Sequence, residues 1–109
     1  MRLQIDVDGA AYWIDVKESW TRRDIRMWWD ALGQSGPEGE AAQLALLEKW
    51  STGCHLVDQD GVVYDQVSAL SSEALDNLDA AQMRLVFTAP SAAYEQRASL
   101  GNVKRGGLS

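Results

Sequence analysis

Size and charge place this chain among small acidic proteins that fold as one domain. It has 109 residues, 46% hydrophobic and 24% charged, which suffices for a core without metals or disulfides. The net charge of −6 argues against a nucleic-acid-binding surface, and no apolar run reaches the ~20 residues of a membrane helix. A single cysteine excludes an internal disulfide and is typical of a reducing compartment, and we expect no signal peptide.

Residues 1–16 are predicted to form a β-hairpin. Asp8-Gly9 is a favoured two-residue type I′ turn. That turn sets a register in which one face is apolar, through the pairs Met1–Val16, Leu3–Ile14, Ile5–Tyr12 and Val7–Ala10.

The other face of this hairpin is polar, with Arg2 able to pair with Asp15 across the strands. Trp13 is the exception, because it places a large aromatic ring on that face. Either another segment packs over Trp13 or the ring shields the ribbon, or else the ring contacts a partner, since tryptophan is enriched at interface hot spots.

Residues 21–33 are predicted to form a helix with both ends marked. Thr21 can act as the N-cap and Asp24 can reach back to it, in a variant of the capping box. Gly33 can take the left-handed conformation that closes a helix.

This helix carries an apolar stripe with i, i+3, i+4, i+7 spacing: Ile25, Trp28, Trp29 and Leu32. Trp20 and Ile25 also have the spacing of a hydrophobic staple. Two adjacent tryptophans bring more apolar area than one helix of a small domain needs. Either the rest of the chain or a partner must cover them.

The middle of the chain predicts a second helix and a second hairpin. Pro37 can open a helix over residues 38–51, with Gly36 as its cap and Gly53 closing it. Its inner face is predicted to consist of Leu44, Leu47 and Trp50. Residues 54–65 predict a short hairpin around Asp60-Gly61, whose loop has either two or four residues.

The last third predicts further helices. Residues 71–78 read as a short helix capped by Ser71, and Asp79 with Gln82 gives a second capping-box spacing. From Ala80 we expect a helix, with an inner face of Met83, Val86 and Phe87.

A strand at Arg84–Thr88 competes with that helix, because β-forming residues are dense there. Pro90 is expected to end either element. A separate amphipathic helix is then predicted over residues 91–100, and an unfolded tail over residues 101–109.

Together these elements predict an α+β fold: an N-terminal β-hairpin followed by a mainly helical body with a second short hairpin. The domain covers residues 1–100 and the flexible tail covers 101–109. A β-grasp-like fold is the alternative, because that fold also begins with a hairpin and a helix. It requires a strand at residues 84–86 that pairs with the first hairpin.

The sequence offers no convincing catalytic, cofactor or metal site. Cys54 and His55 are adjacent in a predicted strand, so their side chains point to opposite faces and cannot form a nucleophile–base pair. Residues 58–61 resemble a calcium loop but lack ligands at its first and last positions. We therefore predict a protein that is not an enzyme.

Five stretches of the sequence resemble the small tail assembly chaperones of long-tailed bacteriophages. They are the Asp8-Gly9 turn, the Tyr12-Trp13 pair, the Trp-Thr-Arg-Arg-Asp-Ile-Arg motif at 20–26, the Leu-Ser-Ser-Glu-Ala-Leu-Asp-Asn-Leu segment at 70–78 and the polar stretch at 96–102. The likeness covers nearly the whole chain as a layout of elements. It implies a factor in the host cell cytoplasm that binds the tape measure protein, helps to recruit tail tube subunits and is absent from the mature virion.

In that role the contacts with partners, or with sister copies of the chain, are expected at five residues: Trp13, Trp28, Trp29, Tyr94 and Arg97. The pair Trp28-Trp29 is also suited to the core. No nucleic acid, membrane or cofactor is expected. The second hypothesis is a small acidic phage-encoded inhibitor of a host nucleic-acid-binding protein. A continuous acidic stripe on the surface would favour the inhibitor, and an apolar groove would favour the chaperone.

Overall fold

A four-stranded antiparallel sheet forms one layer of the molecule. The computed structural model describes the backbone of residues 1–108 and the side chains of residues 1–98. The strands follow the order β1-β2-β3-β4, so that each pairs with its neighbour in sequence. They are β1 (Arg2–Val7), β2 (Ala10–Val16), β3 (Ser51–Val57) and β4 (Val63–Tyr64).

Helices form the second layer and confirm the α+β class. They are α1 (Arg22–Leu32), α2 (Gly36–Trp50), α3 (Ser72–Asp76) and α4 (Ala80–Leu108), with a 3-10 turn at Val67–Ala69. Helix α4 lies across β1 and β2 and contacts α1 and α2. The backbone of residues 101–108, for which an unfolded tail is predicted, continues α4, and the side chains of this stretch lie outside the described part of the chain.

The β1–β2 hairpin has the predicted register. Val7 lies opposite Ala10, and Asp8 and Gly9 have φ angles of 51° and 85°, as a type I′ turn requires. Arg2 donates from Nε and Nη2 to the carboxylate of Asp15 at 2.8 and 3.0 Å. This hydrogen bonding lowers the pKa of Asp15.

The loop of the β3–β4 hairpin differs from both predicted lengths. The Asp58 N–H donates to the Val62 carbonyl at 3.0 Å, so three residues, 59–61, form the connection. The Gly61 N–H donates to the Asp58 carbonyl at 3.1 Å, and Gly61 has a φ of +82°. A turn followed by a left-handed glycine is a common three-residue hairpin loop. The second hairpin joins the first through β2 and β3.

Helix α1 begins as predicted and ends differently. The Asp24 N–H donates to the Thr21 hydroxyl at 3.2 Å, and the Thr21 N–H donates to the Asp24 carboxylate at 3.0 Å. Burial would raise the pKa of Asp24, but hydrogen bonds from Lys17 and Thr21 lower it overall. Gly33 has φ −74° and ψ −13°, so the predicted left-handed cap is wrong. The chain continues in right-handed geometry because the Gly33 and Gln34 N–H groups donate to the carbonyls of Trp29 and Ala31.

Helix α2 is bounded by other residues than those predicted. Ser35 occupies the N-cap position, and Gly36 is the first helical residue with a φ of +70°. The helix ends at Trp50 and the chain enters β3 directly, so Gly53 lies in the strand and does not close the helix. Gly39 is packed so closely that a Cβ there would collide with the Gln34 carbonyl oxygen.

Helix α4 passes through Pro90 without a break, which corrects three predictions. Pro90 ends no element, residues 91–100 form no separate helix, and Arg84–Thr88 is helical. The β-grasp alternative is therefore wrong, because it needs a strand at residues 84–86. A proline inside a helix costs about 3 kcal/mol. Its burial on the helix face that packs inward offsets this cost.

The core lies between the inner face of the sheet and this face of α4, and it extends to buried residues of α2 and of the segment around α3: Leu47, Val67, Leu70, Leu75 and Leu78. Leu3, Ile14, Cys54 and Leu56 project from the strands and are buried. The buried α4 residues are Gln82, Leu85, Val86, Ala89, Pro90 and Ala93, whereas the predicted Met83 and Phe87 are only half-buried. The buried face of α4 is therefore centred on Leu85, Val86 and Ala89 and not on Met83 and Phe87.

Gln82 joins α4 to β3 through an arrangement the sequence did not indicate. Asp79 caps α4, since the Gln82 N–H donates to its carboxylate at 2.8 Å. The Gln82 side chain, however, turns away from the cap. It donates from Nε2 to the Val57 carbonyl at 2.8 Å and accepts at Oε1 from the Val57 N–H at 2.9 Å. The amide thus takes the place of a peptide group from a neighbouring strand.

Replacing Gln82 with Leu is expected to destabilise the fold by about 2–4 kcal/mol, because two backbone groups of Val57 lose their partners near the core. Urea unfolding followed by tryptophan fluorescence measures this change. The matched control is Gln96→Leu in the same helix, where the side chain is exposed. Equal stability of Gln82→Leu and the wild type would contradict the role given to this amide.

Candidate functional site

Aromatic residues from four parts of the chain meet where α1, α2 and α4 pack together. Trp20 packs edge-on against Trp50 with ring centroids 5.0 Å apart, and Trp28 lies 6.3 Å from Trp50. Tyr94 of α4 approaches Trp20 at 6.2 Å. Trp50 is 3% exposed, and its indole nitrogen has no hydrogen-bond partner among the described residues. The cluster fixes α1 against the rest of the fold through ring packing.

The two adjacent tryptophans of α1 have opposite environments. Trp28 is fully buried, and its indole N–H donates to the Ser91 hydroxyl at 3.0 Å. Trp29 is 60% exposed, and its indole N–H donates to the Tyr94 hydroxyl at 3.0 Å. The pair is therefore divided: Trp28 is a core residue that presents no contact surface, whereas the chain leaves most of the Trp29 ring exposed.

An apolar surface patch results, which we call the aromatic patch: Trp29, Leu32 and Tyr94. Leu32 follows Trp29 by one helical turn and is 44% exposed. The Trp29 indole N–H already has a hydrogen-bond partner in the Tyr94 hydroxyl. A ligand can therefore cover the exposed indole without leaving that N–H unpaired. Arg97 follows Tyr94 by one turn and Arg26 precedes Trp29 by one turn, and both are exposed. The patch is an apolar centre with cationic residues beside it.

Trp13 lies apart from the aromatic patch, on the outer face of the sheet. Its ring stacks on His55 of β3 with centroids 4.7 Å apart, and the Arg2 guanidinium lies 4.4 Å from its centroid. Trp13 is therefore covered in part by side chains of its own chain, which agrees with the prediction that another segment packs over it. Of the five predicted contact residues, the structure brings Trp29 and Tyr94 together and places Arg97 one turn away.

Cys54 and His55 point to opposite faces of β3, as predicted. The Cys54 thiol is buried and donates to the Tyr64 carbonyl at 3.5 Å. Burial, together with the charges of Asp65 and Asp15, raises the pKa of Cys54 to about 11. The thiol therefore stays protonated at neutral pH, and a protonated thiol is a poor nucleophile.

A pocket of about 510 Å³ beside the β3–β4 loop is lined by carboxylates, among them Asp58, Asp60, Glu73 and Asp76. The Asp58 carboxylate accepts from the N–H groups of Asp60 and Val62 at 2.9 Å, and from the Tyr64 hydroxyl at 3.0 Å. Desolvation by itself would raise the pKa of Asp58, but these hydrogen bonds outweigh that effect, so the pKa lies below its usual value. The carboxylate is thus committed to the turn.

Neither a metal centre nor a membrane span is found in the part of the chain that the structure describes. No three His, Cys, Asp or Glu side chains there converge in an arrangement that could hold a metal ion. None of the described helices is both long enough and apolar enough to cross a bilayer.

A groove of about 620 Å³ runs between strand β1 and helix α4. Every residue of β1 lines one side, and the α4 side includes Leu85, Thr88 and Ala92. The sequence indicated β1 as a strand, but it did not indicate that β1 is an outer strand or that α4 leaves space beside it. The missing signal is the order of strands, which depends on contacts distant in sequence.

No protein-family model, no curated protein and no solved structure matches this chain. The resemblance to tail assembly chaperones therefore depends on the layout of sequence motifs alone.

Substitution of the two tryptophans separates core from surface. Trp28→Ala is expected to lose about 3–5 kcal/mol of stability, because it leaves a large cavity and an unpaired Ser91 hydroxyl. Trp29→Ala, the matched control in the same helix, is expected to lose less than about 1 kcal/mol, since most of its ring is already in water. Chemical denaturation of both variants measures the difference, and similar losses would contradict the assignment of Trp29 to the surface.

Proposed function

We propose that this chain is a non-enzymatic tail assembly chaperone that binds the tape measure protein and helps to recruit tail tube subunits. The observation that carries the proposal is the aromatic patch, where Trp29 is 60% exposed and hydrogen-bonded to Tyr94. A rigid exposed indole is the kind of residue that dominates binding energy at protein interfaces. The motif layout described above supplies the identity of the partner.

The patch suits an amphipathic helix as its ligand. Trp29 and Leu32 lie one turn apart on α1, a spacing that matches the apolar stripe of another helix. Arg26 and Arg97 would lie beside that helix, so we expect acidic residues next to its apolar stripe. A tape measure protein is a very long and largely helical chain, and such stripes repeat along it. Weak contacts repeated along one partner add up through multivalency.

The same chemistry accounts for a role that ends when assembly is complete. A small patch binds each helical site weakly, so bound copies can leave when tail tube subunits cover the tape measure protein. In this proposal the chain acts in the cytoplasm of the host cell and is absent from the mature virion.

Co-expression tests the proposal. We expect a tape measure segment from the same genome to stay soluble and to co-purify with the wild-type chain. Trp29→Ala should reduce the recovered segment to about a tenth, because a hot-spot tryptophan contributes about 2 kcal/mol or more. Val63→Ala is the matched control, since Val63 is an exposed apolar residue of β4 outside the patch.

Two outcomes would overturn this function. A segment that remains insoluble with the wild-type chain would remove the chaperone role. Recovery of the segment at wild-type level with Trp29→Ala would remove the patch as the binding site.

The acidic inhibitor is the second candidate, and one observation favours it: four carboxylates line a single pocket. The engagement of Asp58 in its own turn weakens the case, because mimicry of nucleic acid needs carboxylates that are free to meet basic residues. The inhibitor would be favoured over the chaperone if the chain captures a host nucleic-acid-binding protein. This capture should be lost in the double variant Glu73→Gln/Asp76→Asn and kept in Trp29→Ala.

A further inference from the structure

Strand β1 is an outer strand whose backbone is available for pairing. In the β1–β2 ladder, the Val16 N–H donates to the Met1 carbonyl at 2.8 Å, so Met1 and Val16 form a hydrogen-bonded pair. Along an antiparallel ladder, hydrogen-bonded pairs alternate with pairs whose backbone groups point away from each other. The odd residues of β1 therefore bond to β2. The N–H and C=O groups of Arg2, Gln4 and Asp6 point to the open edge.

The side chains on this strand are self-complementary. Read from Arg2, the order is cationic, apolar, neutral polar, apolar and anionic, ending at Asp6. In an antiparallel pair of two β1 strands centred on Gln4, each Arg2 lies opposite the Asp6 of the other copy. The two Gln4 residues face each other, and Leu3 lies opposite Ile5.

We propose that two copies of this chain associate through antiparallel pairing of their β1 strands, centred on Gln4, to form one continuous eight-stranded sheet. This register satisfies the six outward backbone groups of each strand and both charge pairs at once. A shift of the pairing by two residues in either direction places Arg2 or Asp6 opposite Gln4, so the charge pairs are lost. A shift by one residue places outward backbone groups of one strand opposite inward groups of the other, so the hydrogen bonds between the strands are lost.

The neighbouring side chains leave room for these contacts. Arg2 uses Nε and Nη2 for Asp15, which leaves Nη1 to donate to Asp6 of the second copy. Asp6 accepts at 3.2 Å from Gln4 Nε2 and retains its second carboxylate oxygen. Both side chains are exposed, so neither charge has to be taken out of the core.

The groove beside β1 receives the apolar side of the added strand. Leu3 and Ile5 of the second copy extend the inner face of the sheet toward Leu85 and Ala92 of α4, which line that groove. Half-buried Ile5 becomes covered in the process. At the other edge of the sheet, β4 has two residues and offers too short a ladder for the same pairing.

Charge reversal tests the dimer by sedimentation equilibrium from micromolar to millimolar concentration. The wild-type chain is expected to dimerise within this range. Asp6→Arg and Arg2→Glu should each dimerise at least about tenfold more weakly, which is about 1.4 kcal/mol, because both charge pairs become repulsive. An equimolar mixture of the two variants should form a heterodimer, since each Arg then faces a carboxylate. Glu48→Arg on α2 is the control for Asp6→Arg, because it changes the charge by the same amount, and it should dimerise like the wild type.

Hydrogen exchange provides a readout of the register. The N–H groups of Gln4 and Asp6 should exchange rapidly in the dilute protein and slowly in the concentrated protein. Those of Leu3 and Ile5 should be protected at both concentrations, because they bond to β2.

Three results would overturn the inference: a wild-type chain that is monomeric at every concentration, a mixture of variants that does not associate, or a dimer in which the Gln4 N–H stays unprotected. Protection of the edge only when another protein is added would assign the edge to a foreign strand instead. Neither Arg2 nor Asp6 belongs to the aromatic patch, so the dimer and the proposed function can fail separately.

Discussion

The packing of helix α4 on the inner face of the sheet is the contact on which the rest of the structure depends. Its buried face, from Gln82 to Ala93, covers β1 and β2 and also meets α1 and α2. Two hydrogen bonds between Gln82 and Val57, one donated by each residue, fix the first turn of the helix on β3. Burial of this face offsets the internal Pro90, which would interrupt an isolated helix.

The position of α4 creates both surfaces to which we assign roles. On one flank, Tyr94 holds the exposed indole of Trp29 and forms the aromatic patch with α1. On the other flank, α4 leaves a groove beside the outer strand β1. The buried face separates the flanks, so a helical partner and a second copy of the chain would meet different sides of one helix. In the proposed chaperone, dimerisation would double the number of patches available to a repetitive partner.

Both surfaces combine apolar contact with polar atoms that are already satisfied or readily satisfied. The Trp29 N–H has its partner in the Tyr94 hydroxyl, so burial of the ring leaves no donor unpaired. Within the described part of the chain, the outward backbone groups of β1 face the open edge of the sheet, where another strand could pair with them. The first surface therefore favours an apolar helix, whereas the second favours extended backbone.

The sequence by itself determined the local elements of this protein. The Asp8-Gly9 turn, the Thr21–Asp24 capping box and the Ser71 cap follow from residues within a few positions of one another, and the α+β class follows from their order. Tertiary structure alone decided that α4 continues through Pro90, that Gly53 lies in a strand, and that Trp28 is buried while Trp29 is exposed. It also decided that Gln82 bonds to Val57 and that β1 lies at the edge of the sheet. These outcomes depend on contacts between residues distant in the chain, whose packing energies exceed the local preferences that a sequence pattern reports.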